Sequence, residues 1–125
     1  SSDDVFLIEL VLRPDVPEKA KALVDQLIAT DTAATTGVIF LELLAGSKTE
    51  QELLKQNLEA LIYFPIAQEL WIKAARLHFA LRKRGVTVPT IDALIATIAV
   101  ENGAGIVHAD QHLAVMDGLE GEEFA

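Results

Sequence analysis

The sequence contains no cysteine among its 125 residues. A disulfide framework, a thiolate zinc site and a cysteine nucleophile are therefore excluded. Long apolar runs are also missing, because no stretch reaches the roughly 20 residues that a membrane-spanning helix requires. The chain does not open with a basic segment followed by an apolar segment and a cleavage site. These absences lead us to expect a soluble, cytoplasmic protein.

Positive charge is scarce, since 10 Lys and Arg residues face 19 Asp and Glu residues and the net charge is -9. Such a balance opposes simple electrostatic attraction to nucleic acid or to anionic lipid. The objection weakens if several acids converge on one pocket, because bound divalent cations would neutralise them. With 51% hydrophobic residues the chain can bury a core of its own, and we predict a single domain over residues 1–125.

The spacing of apolar residues predicts helices that alternate with short strands. Helices are predicted at residues 17–30, 37–45, 47–61, 67–84 and 90–101, and strands at 31–36, 62–65 and 105–108. This order is typical of an α/β fold with a short, mostly parallel β-sheet flanked by helices. Phe64 and Trp71 are predicted in the core, and Thr90 is predicted to cap its helix. The apolar residues 5–12 fit either a buried strand or a buried helix.

Single acids interrupt two of the apolar segments. Glu42 is the only charged residue in residues 37–45, and Asp92 lies in the first turn of the helix predicted from residue 90. Asp110 follows the last predicted strand by two residues, at the sheet edge where ligands usually bind. Carboxylates without any cysteine favour Mg²⁺ or Mn²⁺. Such ions activate water and stabilise charge on a phosphoryl group, so the pattern indicates phosphoester chemistry.

Three blocks of the sequence resemble the PIN-domain ribonucleases, and among them the VapC toxins of toxin–antitoxin pairs. The blocks are FLELLAG at residues 40–46, RGVTVPTIDALIA at residues 84–96 and NGAGIVHAD at residues 102–110. The resemblance implies a PIN-like fold and an Mg²⁺- or Mn²⁺-dependent endoribonuclease that hydrolyses RNA phosphodiesters. It also implies a VapB-like antitoxin as partner and a homodimer, to which we expect apolar surface in residues 5–12 and 53–61 to contribute.

The same resemblance implies that Glu42, Asp92 and Asp110 are catalytic and bind the metal ion. A further metal-binding acid follows the first strand of the family. Asp3 or Asp4 matches that acid if residues 5–12 form the first helix, in which case the first strand is missing or truncated. Glu9 is then interpreted as a solvent-exposed helix residue, although it becomes a buried acid if residues 5–12 form a strand.

Other features leave alternatives open. His108 stands where the family more often has Ser or Thr, which tunes the site or weakens it. The basic run Arg82, Lys83 and Arg84 is first interpreted as a solvated helix end, and RNA binding is the second interpretation. The altered first acidic block also allows a catalytically impaired PIN-like module that binds nucleic acid or protein. A phosphatase for small phosphoesters ranks last, because no nucleophile or cap domain is found.

Overall fold

Helices and strands follow one another in the order predicted from the sequence. The computed structural model describes residues 5–8, 18–46 and 51–107. Their elements are β1 (Phe6–Ile8), α1 (Glu18–Ala29), β2 (Ala33–Thr36), α2 (Gly37–Gly46), α3 (Gln51–Glu59), β3 (Ile62–Phe64), α4 (Gln68–Lys83), α5 (Thr90–Glu101) and β4 (Gly105–Val107). Within these ranges, no helix has the length and apolar character needed to cross a membrane. The α/β prediction is confirmed.

The four strands form one parallel sheet in the order β3-β2-β1-β4. Phe6 pairs with Ala33 on one side of β1 and with Gly105 on the other, so β1 lies in the interior of the sheet. The helix interpretation is therefore wrong for the described part of residues 5–12, and the first strand is present. A strand that is buried on both faces shows no polar alternation, which is why the pattern left this choice open.

Side chains of the sheet contribute to a core on each face. Leu7 and Ala34 pack with residues of α2, α4 and α5 on one face. Ile8 and Ala33 pack with Val24 and other α1 residues on the opposite face. Because successive strand residues point to opposite faces, the neighbours Leu7 and Ile8 join different cores. The sheet is thus a middle layer between helices.

Helices α4 and α5 form an antiparallel hairpin that carries the largest helix–helix contact. An ion pair between Lys73 and Glu101 joins the first half of α4 to the last residue of α5. The hydrogen bond that Lys73 donates to Glu101 raises the pKa of Lys73 above its ordinary value. Residues 84–89 connect the two helices, and the Lys73–Glu101 pair places the end of α5 beside the first half of α4, so the helices run in opposite directions. The basic end of α4 therefore lies at the same end of the hairpin as the start of α5.

Two local predictions are wrong. Trp71 was expected in the core but is 51% exposed, because the buried face of α4 runs through Leu70, Ala74 and Leu77, and Trp71 lies beside it. Thr90 was expected to cap α5, but Pro89 occupies the N-cap position and no side-chain hydrogen bond caps the helix. The prediction that Phe64 lies in the core is confirmed.

Candidate functional site

The carboxyl ends of the four parallel strands meet at one edge of the sheet. β2 ends at Thr36, and α2 begins at the next residue without any connecting loop. β1 ends at Ile8, which pairs with Val107 at the end of the neighbouring strand β4. Ligands of open parallel sheets bind at this edge, outside the carboxyl ends of the strands. A site built from several strand ends and the following helix starts is therefore expected here.

Glu42 is the sixth residue of α2 and has an exposed side chain. Val38 and Ile39 lie one helical turn before it on the same face of the helix. Both pack into the core cluster that contains the buried residues of α5. Glu42 therefore lies on the side of α2 that faces the sheet core, at the solvent-exposed end of that side and about 9 Å along the helix from the end of β2.

Asp92 is the only charged residue buried in the described part of the chain, and it is 7% exposed. It lies in the first turn of α5, between the exposed Ile91 and the fully buried Ala93. Burying a carboxylate costs several kcal/mol unless charges or dipoles compensate it. The positive end of the α5 dipole supplies part of this compensation, and a cation would add to it. The environment of Asp92 is thus suited to a bound positive charge.

Two fully buried threonines close β2 at the same edge. The Thr36 hydroxyl donates a hydrogen bond of 2.6 Å to the carbonyl oxygen of Phe64, the last residue of β3. The Thr35 hydroxyl is buried without a hydrogen-bond partner among the described residues. The Thr36 bond ties the end of β3 to the point where α2 begins, and so helps to hold α2 and Glu42. Sequence reasoning treated both threonines only as strand residues, although two polar residues at a strand end are themselves a signal.

The described residues contain only part of the predicted metal site. Asp3, Asp4, Asp110 and His108 lie outside them. No group of three acidic or histidine side chains that could hold a metal ion occurs in the described ranges. Glu42 and Asp92 lie on helices that pack against the same face of the sheet, and both offer the oxygen ligands that Mg²⁺ and Mn²⁺ prefer. The donor atoms of these two residues thus suit a hard cation, and the metal site as a whole stays a prediction.

The position of β1 draws attention to Glu9, which the sequence reasoning ranked as a helix surface residue. Glu9 lies outside the described residues, but in the sequence it directly follows Ile8, the last residue of the interior strand β1. Asp3 and Asp4 precede the same strand, on its amino side. The signal in the sequence was an apolar run, VFLI at residues 5–8, that ends directly in an acid. A strand interpretation of that run would have ranked Glu9 first.

The basic residues at the end of α4 are exposed at the same end of the hairpin as Asp92. The cationic groups of Arg82 and Lys83 lie 5.9 and 5.4 Å from the centre of the Phe79 ring. Arg84 is the last residue before the tight turn at Gly85, where φ is 82°. A glycine accepts this φ without strain. Positive charge is thus concentrated next to the start of α5, in a chain that is acidic as a whole.

Comparison with known proteins gives one match that covers almost the whole chain. The PIN domain model matches residues 3–119, which include β1 to β4 and all three sequence blocks. No curated protein matches the sequence closely enough to count as a relative. PIN domains are generally nucleases, and they generally use divalent metal ions. The parallel four-stranded sheet flanked by helices agrees with the match, and the chain belongs to the PIN domain family.

Proposed function

We propose that the protein is a metal-dependent endoribonuclease and the toxin of a VapBC-type toxin–antitoxin pair. One observation carries the proposal: in a PIN domain, the buried carboxylate of Asp92 lies at a helix start, and Glu42 lies on a helix that packs against the same face of the sheet. RNA cleavage that requires Mn²⁺ or Mg²⁺ and stops with EDTA is the experiment that tests it. Asp92→Asn is the control variant.

In this proposal Glu42, Asp92 and Asp110 hold Mg²⁺ or Mn²⁺. When bound, the ion supplies activation of water and neutralisation of charge on the phosphodiester. Helix α5 fixes the carboxylate of Asp92 in its first turn, where rotation is limited by buried neighbours. The exposed carboxylate of Glu42 remains accessible to solvent and can accept a hydrogen bond from a water molecule beside the phosphate.

The fourth acid of the site has two sets of candidates. Asp3 and Asp4 were predicted on the condition that residues 5–12 form a helix, and this condition fails for the described residues. They also precede β1, which adds about 10 Å of strand before the carboxyl edge is reached. Glu9 is the next residue in the sequence after β1, whose last residue Ile8 pairs with the end of β4. We therefore propose Glu9 as the fourth ligand, and Asp3 and Asp4 are tested beside it.

Arg82, Lys83 and Arg84 are proposed to contact the RNA backbone. They are exposed and lie at the end of the α4–α5 hairpin that carries Asp92. Lys and Arg side chains supply most of the sequence-independent affinity for nucleic acid by pairing with phosphates. Their position beside the start of α5 supplies local positive charge in a chain whose net charge is -9. A cytoplasmic location also stays a prediction.

A VapB-like antitoxin is proposed to silence the enzyme by placing a basic side chain between the acids. Arginine pairs with carboxylates through two parallel hydrogen bonds, so it competes for the groups that bind the metal ion. We expect a short arginine-containing peptide to raise the apparent Kd of Mn²⁺ in proportion to peptide concentration. Isothermal titration measures this effect, and the same peptide with Gln in place of Arg is the control. Unchanged Mn²⁺ affinity at saturating peptide would contradict the proposal.

A homodimer is also proposed, but through another surface than the one expected. Leu7 and Ile8 of residues 5–12 and Leu58 of residues 53–61 are buried inside the subunit. The outer face of α4 instead exposes Trp71, Ile72 and Phe79 around a hollow of about 450 Å³. Contiguous exposed apolar side chains of this kind mark interaction surfaces.

The charges that flank this face support pairing with a second copy. Glu69 lies near the start of α4 and Arg82 near its end. Two antiparallel copies of α4 about a two-fold axis would therefore bring opposite charges together, and Ala75 between Ile72 and Phe79 allows close approach.

We expect Ile72→Glu to shift the protein from dimer to monomer at micromolar concentration, because a charge would be buried in the contact. Light scattering after size exclusion measures the mass. The matched control is Gln56→Glu, an exposed position on α3 that carries the same new charge. A parent protein that is already monomeric, or a variant that remains dimeric, would exclude this surface.

The competing function is a PIN-like module that binds nucleic acid or protein without cutting. This non-cleaving function is favoured by Glu9, which follows β1 at the position where the resemblance implies Asp. RNA binding without any cleavage over a full Mn²⁺ and Mg²⁺ titration would identify this function instead.

A further inference from the structure

A second hollow, of about 400 Å³, lies between α2, α3 and β3. Its lining consists of Gly37, Phe40, Leu58, Glu59, Leu61 and Tyr63. The rings of Phe40 and Tyr63 meet edge to face, with centroids 6.0 Å apart. Tyr63 is 52% exposed although it belongs to a strand of the sheet. The hollow thus offers an accessible aromatic wall with one carboxylate, that of Glu59.

Gly37 keeps the floor of this hollow open. A Cβ atom at this position would lie 3.1 Å from the hydroxyl oxygen of Tyr63, closer than nearly all such contacts. The glycine therefore allows the tyrosine hydroxyl to approach the first turn of α2. Glu59 forms an ion pair of 3.6 Å with Lys55, and both of these side chains are more than half exposed.

The chemistry of these groups matches one nucleobase better than the others. An ionised carboxylate only accepts hydrogen bonds, and it accepts two side by side. Guanine presents two adjacent N–H donors on its Watson–Crick edge, whereas adenine and cytosine place an acceptor beside their amino group and uracil has a single N–H between two carbonyls. Aromatic side chains stack on unpaired RNA bases, and Lys55 can meet a phosphate.

We propose that this hollow binds an unpaired guanine of the RNA, with Glu59 accepting its N1–H and N2–H groups and Tyr63 and Phe40 contacting its ring. The inference rests on the proposed function for its substrate class. Both sites lie on α2, where Phe40 and Glu42 are separated by about 3 Å of helix rise on opposite sides of a helix. A guanine in the hollow would therefore belong to a different nucleotide from the one whose phosphate lies at Glu42, since the RNA must pass around α2.

The test measures binding without cleavage, so it does not depend on nuclease activity. Five-residue single-stranded RNAs with a central G, A, C or U are titrated in EDTA, and binding is followed by fluorescence anisotropy. We expect the G-containing RNA to bind about tenfold more tightly than the other three, which is the discrimination typical of one bidentate hydrogen-bonded contact to a base. Glu59→Gln should reduce this preference to less than about twofold, because the amide places an NH2 donor where the carboxylate had its second acceptor oxygen.

Two further variants separate the hollow from general charge effects. Glu52→Gln removes the same charge from an exposed position of α3 outside the hollow, and should keep the preference for G. Gly37→Ala removes no charge and favours the helix, yet should weaken binding of the G-containing RNA by crowding Tyr63. Thermal unfolding of each variant verifies that it is folded.

The outcomes distinguish this inference from the proposed function. Preferential G binding that depends on Glu59, in a protein that cuts no RNA, would support the hollow and reject the nuclease. Metal-dependent cleavage with equal affinity for all four RNAs would support the nuclease and overturn the guanine site. A preference for another base, or a Glu59→Gln variant that changes only oligomeric state, would overturn it as well.

Discussion

Replacing Asp92 with Asn should reduce metal-dependent RNA cleavage by about 100-fold or more, because loss of outer-shell partners alone typically costs 10–100-fold at metal sites. The change keeps the size of the side chain and removes its charge. Cleavage of a fluorescent RNA in Mn²⁺, with EDTA as blank, measures the rate. Asp25→Asn makes the same chemical change at an exposed position of α1 and should keep the parent rate.

The stability of the Asp92→Asn variant distinguishes two roles for Asp92, that of a metal ligand and that of a charge that only complements the helix dipole. If Asp92 only complements the α5 dipole, Asn should cost about 0.3–1 kcal/mol of unfolding free energy and leave cleavage intact. If Asp92 is a ligand in a group of acids, Asn removes a buried charge and relieves repulsion. The metal-free variant should then be at least as stable as the parent. Its stabilisation by Mn²⁺ should also be lost.

Thermal unfolding with and without Mn²⁺ therefore tests the role of Asp92 independently of RNA cleavage. A variant that cuts RNA at the parent rate and gains the same stabilisation from Mn²⁺ would show that Asp92 is not a ligand. The position in an apolar helix start would then be structural, and the proposed site would lose the observation that carries it.

The helices could be predicted because their apolar spacing reports directly on one buried face. α4 is the clearest example, since its buried residues Leu70, Ala74, Leu77 and Leu81 recur at helical spacing and its bounds match the prediction closely. Trp71 shows the limit of this reasoning. It sits beside the buried face of α4, and whether a flanking aromatic is covered depends on the neighbouring elements, about which spacing within one helix says nothing.

The strand order could not be read from the sequence, because pairing joins residues that are far apart in the chain. β1 pairs with β4 about 100 residues later. The same long-range pairing also decides which side chains come together at the candidate site. Glu42 and Asp92 were found through sequence blocks, whereas the bond from Thr36 to Phe64 became evident only once β2 and β3 were paired.

The largest change in the expected site concerns the acid that follows β1. We expect Glu9→Gln to lower cleavage by about 100-fold or more and to weaken stabilisation by Mn²⁺, as for the other ligands. Asp3→Asn and Asp4→Asn should leave both quantities near the parent values, because these residues precede the strand. Each variant makes the same charge change, so they serve as matched controls for one another.

A second substitution at the same position tests ligand geometry rather than charge alone. Glu9→Asp keeps the carboxylate and shortens the side chain by one methylene, which restores the residue that the resemblance implies. A ligand role predicts that it retains most of the cleavage lost in Glu9→Gln, whereas a role in packing predicts similar losses for both. If Asp4→Asn or Asp3→Asn abolishes cleavage and Glu9→Gln does not, the fourth ligand is the acid before β1, and the assignment to Asp3 or Asp4 is correct. If none of the three changes alters Mn²⁺ stabilisation, the metal ion is held without any acid from this segment. The interior position of β1 would then serve only to support the sheet on which Glu42 and Asp92 depend.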